Sequence, residues 1–164
     1  MTRAFATLLE DNSLRVHRAA LGFLGDRESA REAAQEAMMK AYAARARYDT
    51  NQPFYPWMYR IVKNTCLDIL AKRRRRPRVA LDMERFTDSR PSPLDSAQKS
   101  QDHARRWMAM GQLSAPHREI INLRHFQDLS YGEIAEVLGL AEGTVMSRLF
   151  RARSALARAM REGA

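Results

Sequence analysis

Residues 130–153, SYGEIAEVLGLAEGTVMSRLFRAR, read as two helices about a tight turn, and the rest of the chain is placed around them. Ser130 and Glu133 have the spacing of a capping box, in which each side chain bonds an orphan amide at a helix start, so a helix is predicted from Tyr131. Ile134, Ala135 and Leu138 share one face of it. Gly139 follows where a left-handed cap favours a residue without a Cβ. After the turn Gly139 to Ala141, Val145, Leu149, Ala152 and Leu156 recur at helical spacing as one apolar stripe. Ser147, Arg148 and Arg151 stand on the opposite face. From Gly143 to Arg161 there are five arginines and no acid. An arginine fork exposed at the start of a second helix suits the two acceptors on a guanine edge, or phosphate, so this reads as a helix-turn-helix for the major groove. The competing reading is a solvated basic face.

Composition agrees with a polyanion as partner: the 164 residues carry a net charge of +9. The charge is uneven, with 15 basic and 8 acidic side chains in residues 1–76, 3 and 3 in 77–94, and 10 and 8 in 95–164. Cys66 is the single cysteine, so neither an intramolecular disulfide nor a thiolate zinc site is expected. Its spacing from Val62 and Ile69 predicts a buried structural thiol. His17, His103, His117 and His125 are scattered, and no metal or cofactor site is predicted. Clustered carboxylates and an activated nucleophile are lacking, which argues against an enzyme. There is no signal-peptide core and no run of roughly 20 apolar residues, so a cytoplasmic protein without a membrane span is expected.

Upstream, residues 2–24 have helical apolar spacing, with Asp11, Asn12 and Ser13 marking a candidate break, and Gly25 ending the run. Asp26 is a predicted N-cap for a helix over about Arg27 to Arg45, whose small face runs through Ala30, Ala33, Ala34, Ala37 and Ala41. Tyr48 to Pro56 holds two prolines and reads as a loop. The helix after it places Phe54, Trp57, Met58, Ile61, Val62, Thr65, Cys66, Ile69 and Leu70 on one stripe, with Arg60, Lys63 and Asn64 opposite. It ends in Lys72 to Arg76, before Pro77. Five adjacent cations repel one another unless water or an anion relieves them. They are either a solvated helix end or, with the aromatics just upstream, a track for single-stranded nucleic acid. Trp57 belongs with the core by its position on the stripe; Tyr48 and Tyr55 are the better stacking candidates.

Residues 77–94 are predicted to be a linker with a reach of roughly 60 Å at about 3.3 Å per residue. That exceeds one turn of DNA, about 34 Å. Asp95 to Leu113 resumes a helix, and Ser114 caps another in which Ile120, Ile121, Leu123 and Phe126 face inward. No stretch alternates with period two. The expected fold is therefore all-α: two small helical domains, 1–76 and 95–164, joined by a flexible linker.

Taken together the two halves resemble the extracytoplasmic-function group of bacterial sigma factors. REIINLRHFQDLSYGEIAEVLGLAEGTVMSRLFRARSAL, Arg118 to Leu156, is similar to that family's region four. In the first half, LGD at Leu24 to Asp26, QE at Gln35 and Glu36, and F-x-x-W-M-Y-R-I-x-x-N from Phe54 to Asn64 match region two, followed by Asp68 and the arginine run. The resemblance implies a chain that binds core RNA polymerase and directs it to promoters, under the control of an anti-sigma factor. It assigns Gln35, Glu36 and Lys40 to the polymerase clamp. Tyr48, Tyr55, Arg60, Lys63, Asn64 and Lys72, Arg73, Arg74, Arg75 and Arg76 fall to the minus-ten element, with the first five at the melted strand. Thr144, Ser147, Arg148 and Arg151 fall to the minus-thirty-five element. Arg31, Ala33, Met38 and Met146 depart from the family pattern, which bears on the clamp contact and the minus-thirty-five preference. The alternative is a helix-turn-helix regulator whose first half senses a ligand or dimerises.

Overall fold

The computed structural model describes residues 2–75 and 93–163. Among these residues the chain is helical without strands: α1 Thr2–Leu24, α2 Arg27–Ala43, α3 Phe54–Arg75, α4 Pro93–Gly111, α5 Ala115–Ile121, α6 Tyr131–Leu138 and α7 Glu142–Glu162. A 3-10 turn, Arg45–Arg47, follows α2, and a π turn, Asn122–Phe126, follows α5. Arg76 and nearly all of the predicted linker lie outside the described residues.

The first three helices pack around Phe5, Leu9 and Val16 of α1, the alanine face of α2, and Phe54, Met58, Val62 and Cys66 of α3. Alanine lets backbones approach closely, so the α2 face works as a smooth floor for its neighbours. Gly25 closes α1 at φ +83°. The Asp26 carboxylate then accepts the Ser29 amide at 2.8 Å, starting α2 as an N-cap. Cys66 is buried, and burial first, with Glu36 nearby, pushes its thiol up to about 12. It is inert packing, as its spacing suggested.

Three local expectations are corrected. The candidate break at Asp11–Ser13 does not occur; α1 runs through it, because Asn12 donates its side-chain amide to the Leu8 carbonyl at 2.8 Å and so bonds back along the helix. The loop after α2 is shorter than Tyr48 to Pro56. α3 begins at Phe54, which puts Tyr55 and Pro56 in its first turn, where proline's missing amide has no partner to lose. α2 itself stops at Ala43 rather than Arg45.

The second core gathers Met110, Leu113, Ile120, Ile121, Leu123, Leu129, Ile134, Val145, Leu149 and Ala152. Its helix-turn-helix has the local chemistry its sequence dictates. Ser130 Oγ accepts the Glu133 amide at 3.2 Å while Glu133 Oε2 accepts the Ser130 amide at 2.9 Å, and Gly139 adopts φ +64°. Val145, Leu149 and Ala152 are buried along α7, which fixes the rotation of that helix and points its arginines outward. Tyr55 and Tyr59 of α3 join this second core. The two helical groups are thus packed on one another where α1 meets the π turn and α3 meets α6, with Glu119 of α5 reaching Tyr59 and Lys63 of α3.

Candidate nucleic-acid and polymerase surfaces

On α7 the outer face is built by default: with Val145, Leu149 and Ala152 locked inside, Thr144, Ser147 and Arg151 are exposed and Arg148 is half-buried. The Ser147 hydroxyl donates to the Thr144 carbonyl at 3.1 Å, and Arg151 Nε donates to the Ser147 carbonyl at 3.3 Å. These bonds hold two of the four predicted residues against their own helix. Two exposed apolar side chains join them: Met146 at 55% exposure, already noted as a departure bearing on the minus-thirty-five preference, and Phe150 at 73%, which sequence reasoning did not assign. Phe150 falls off the Val145, Leu149, Ala152 stripe, and that was the signal available for it. Apolar groups on a groove-facing helix offer contact to a thymine methyl, as arginine offers bonds to guanine.

α3 divides differently. Arg60 and Asn64 are exposed, as are Lys72, Arg73, Arg74 and Arg75. Arg73 is engaged within its own helical group: it donates to Ser29 Oγ and lies 3.7 Å from the Asp26 carboxylate, tying the end of α3 to the start of α2. Tyr48 is half-buried, packed with Phe5, Phe54 and Trp57, and donates its hydroxyl to the Gln52 carbonyl at 2.7 Å. Trp57 packs partly buried against the first core, in keeping with its stripe. Tyr55 is 7% exposed, and its hydroxyl is hydrogen-bonded to Gln127. Lys63 pairs with Glu119 at 2.6 Å, and Tyr59 donates to the same carboxylate oxygen at 2.9 Å. Burial, ahead of every neighbouring charge, raises both tyrosine hydroxyls above their ordinary range, so each remains a proton donor. Of the five residues predicted at the melted strand, then, Arg60 and Asn64 lie open and Tyr55 and Lys63 are engaged across the chain.

On α2, Gln35, Glu36 and Lys40 are exposed on the side away from the alanine face. Glu36 and Lys40 pair at 2.7 Å, one turn apart, and Lys40 also reaches Thr65 Oγ1 at 3.4 Å. Met39 and Tyr42 are exposed beside them. Such a ridge, mixed in charge and studded with large apolar side chains, has the composition of a protein-binding surface. Among the described residues there is no group of three or more His, Cys, Asp or Glu side chains placed to hold a metal ion, and no helix long and apolar enough to cross a membrane.

The sigma-70 region 2 family matches residues 8–76, and the sigma-70 region 4 family matches residues 107–156. The RNA polymerase sigma-H factor of Pseudomonas aeruginosa is 35% identical, over 96% of this chain and 86% of its own length. The ECF RNA polymerase sigma-E factor of Escherichia coli K12 is also 35% identical, over 74% of this chain and 69% of its own. The chain belongs to the extracytoplasmic-function group of RNA polymerase sigma factors. Among solved structures, CnrH in complex with the cytosolic domain of CnrY superposes with a TM-score of 0.69 at 25% identity, covering all of this sigma factor and 92% of that chain. Membership makes the protein a transcription initiation factor that joins core RNA polymerase and brings it to promoter DNA. It also decides against the ligand-sensing regulator, since both halves carry sigma regions.

Proposed function

We propose that this sigma factor works as two modules, residues 1–76 and 95–164, joined by the linker 77–94. In this reading the exposed face of α7, with Thr144, Ser147, Arg148 and Arg151, reads the minus-thirty-five duplex. The observation that carries it is that rotation: the buried Val145, Leu149 and Ala152 leave an arginine-bearing, acid-free face outside. The loop from Tyr48, with Tyr55, Arg60, Lys63 and Asn64, captures the melted minus-ten strand, and Lys72 to Arg76 follow the backbone of the DNA nearby. Gln35, Glu36 and Lys40 meet the polymerase clamp. The protein performs no covalent chemistry of its own and acts in the cytoplasm, where the polymerase is. A solved relative is bound to the cytosolic domain of CnrY and another, at 23% identity, to the anti-sigma factor NepR, which supports control of this chain by an anti-sigma partner.

Capture has a physical cost, because a base must leave the stack before its pairing edge can be read, at about a few kcal/mol. Ring and polar contacts in a pocket offset that cost only after the strand has opened. Asn64→Ala and Tyr55→Ala in the polymerase holoenzyme are therefore expected to leave recruitment to closed promoter nearly unchanged and to impair opening. A permanganate footprint of unpaired thymines, on duplex and on template premelted across the minus-ten element, measures this. Rescue on the premelted template is the expected result. Normal opening by both variants on duplex would refute the capture assignment.

A further inference from the structure

Tyr42, near the end of α2, and Phe150 of α7 are the only exposed aromatic side chains among the described residues, at 38% and 73%. The two rings expected to stack on unpaired bases are occupied. Tyr55 is buried, and Tyr48 packs among Phe5, Phe54 and Trp57 with its hydroxyl on the Gln52 carbonyl. A strand drawn across the Tyr48 loop therefore meets no free ring on the loop itself. Phe150 belongs to the helix-turn-helix, which leaves Tyr42, just upstream of that loop, as the open ring of the first helical group.

Tyr42 is held from two sides. Its ring meets Phe5 of the first core edge-on, with centroids 6.4 Å apart. Over it lies Arg45, whose guanidinium carbon is 4.4 Å from the ring centroid, within the reach of a cation–π contact. Arg45 Nη1 also donates to the Tyr42 carbonyl at 2.8 Å, so the guanidinium is tied at two points before anything binds. With one side of it against the ring, the other is left to solvent, and Arg45 is exposed. Arg47 is exposed as well, at the far end of the same 3-10 turn.

Neither cation has a carboxylate within ion-pair distance among the described residues. The sole acid of residues 41–53, Asp49, is engaged by the Asn51 backbone and side-chain amides at 2.9 and 3.0 Å. An open ring beside two unpaired cations has the composition of a single-strand contact, where bases stack on rings or guanidinium planes and cations follow the phosphates. A protein partner gripping Tyr42 as the far end of the ridge that bears Met39 would account for the ring and leave both cations without a role.

We propose that Tyr42, Arg45 and Arg47 form a stacking site for the melted strand next to the Tyr48 loop. A base lies on the outer side of the Arg45 guanidinium, supported from beneath by the Tyr42 ring, and Arg47 takes an adjoining phosphate. The site rests on the reading in which that loop and Asn64 capture the strand. Capture depends on which base is flipped, whereas stacking at Arg45 holds any base, because every base presents a π face. The shelf is already assembled, so little side-chain freedom remains to be lost on binding. The bond from Arg45 to the Tyr42 carbonyl also helps to close α2, and a role confined to that closure would leave DNA binding untouched.

The test uses polymerase holoenzyme and a short fluorescent single strand covering the minus-ten element, with abasic sites introduced one position at a time. At the stacked position wild type should lose affinity when the base is removed and should accept any base in its place. Arg45→Ala is expected to bind the intact strand about tenfold more weakly, and to lose nothing further on the strand that is abasic at that position. Arg45→Lys keeps the charge and removes the plane, so it should fall nearly as far. Arg47→Ala should lower the slope of log affinity against log salt by about 0.7, the share of one single-strand phosphate. Core polymerase affinity should be unchanged in all three. Full affinity in Arg45→Ala would overturn the proposal, as would full affinity in Arg45→Lys, which would leave only a charge at the site. A loss matched by weakened core binding would overturn it too, by making the end of α2 part of the polymerase ridge. Failure of the capture reading shows elsewhere, as normal opening by Asn64→Ala, and the abasic series reads Arg45 in either case.

Discussion

The two proposed nucleic-acid surfaces, on α7 and α3, carry opposite kinds of side chain, and they are kept in opposite ways. α7 offers hydroxyls and guanidinium groups that are well solvated when nothing is bound, with Met146 and Phe150 the large apolar exceptions. Such a face is stable in water, and a duplex presents its acceptors without being opened. The corresponding part of α3 carries Tyr55 and Tyr59, rings that would add to an exposed apolar patch if left bare. In this structure they lie inside the second core, bonded to Gln127 and Glu119. The face proposed to read an intact groove is left open, while Tyr55, proposed to meet unpaired bases, is covered by the chain's own second half.

The largest effect that would sharpen the comparison is on the open face. Arg151→Ala and Arg148→Ala are each expected to weaken binding to minus-thirty-five duplex by about 1–3 kcal/mol if the side chain reads a base, and to relax preference at a single position. A phosphate contact would instead weaken every sequence alike. Both substitutions should leave thermal stability unchanged, because neither side chain belongs to the buried stripe. Binding of single-stranded DNA should also be unmoved. Unaltered duplex affinity in both variants would break the assignment of α7's outer face.

A smaller effect separates residues within the basic end of α3. Arg74 and Arg75 are exposed there, whereas Arg73 is held by Ser29 and Asp26. Arg74→Ala and Arg75→Ala should each lower the slope of log affinity against log salt by about 0.9, the share of one duplex phosphate contact. Arg73→Ala should leave that slope nearly unchanged and instead lower the melting temperature slightly, since it releases the start of α2. Equal slopes for all three variants would show the run to be a single solvated cluster.

Which of these features could be read from the sequence follows from how far apart their partners lie. The capping box of Ser130 and Glu133, the cap at Gly139, the α2 alanine face and the α7 stripe all depend on residues within a turn or two, so their spacing announces them. The packing between the two helical groups does not. Lys63 meets Glu119 across 56 positions, Tyr55 meets Gln127 across 72 and Arg15 meets Glu133 across 118. No periodicity in either segment encodes such pairs, and Tyr55, Tyr59 and Lys63 therefore read as an ordinary helix side or as stacking candidates. The π turn was hidden for a related reason: its widened bond, from the Gln127 amide to the Asn122 carbonyl at 3.2 Å, accompanies burial of the Asn122 and Gln127 side-chain amides, whose need for partners appears only in the packed chain. Gly22 gave a local hint, an unfavourable residue within a helix, without naming the Asn122 side chain that packs against it. Asn12 shows the converse, a turn former that stayed in a helix by bonding the carbonyl behind it.

The smallest predicted effect tests whether the packing of the two groups is tied to the helix-turn-helix itself. Glu133 both caps α6 and meets Arg15, and its carboxyl is held below the ordinary carboxylate range, first by the Ser130 backbone amide and then by Arg15, against an opposing cost of burial. A carboxylate whose folded pKa is depressed contributes stability that is fully present above its unfolded pKa and is lost as pH falls through the folded one. The ordinary value is 4.5, so the contribution is complete near neutrality and declines only in acid below that point. Glu133→Gln retains a side chain able to complete the capping box but removes the charge that faces Arg15. At pH 7 it should melt a little below wild type, by under about 1 kcal/mol because the pair is partly solvated. The gap should close as pH falls below 4.5, and added salt at pH 7 should narrow it as well. A carbodiimide joins an amine and a carboxylate in contact, so it should couple Lys63 to Glu119 in the wild type, and the same substitution should reduce that adduct at neutral pH by removing one of the ties between the modules. A melting difference that persisted unchanged from pH 7 to pH 3 would assign the role of Glu133 to its hydrogen bonds alone, and an unaltered adduct would mean that the packing of the two groups does not depend on the Arg15 contact.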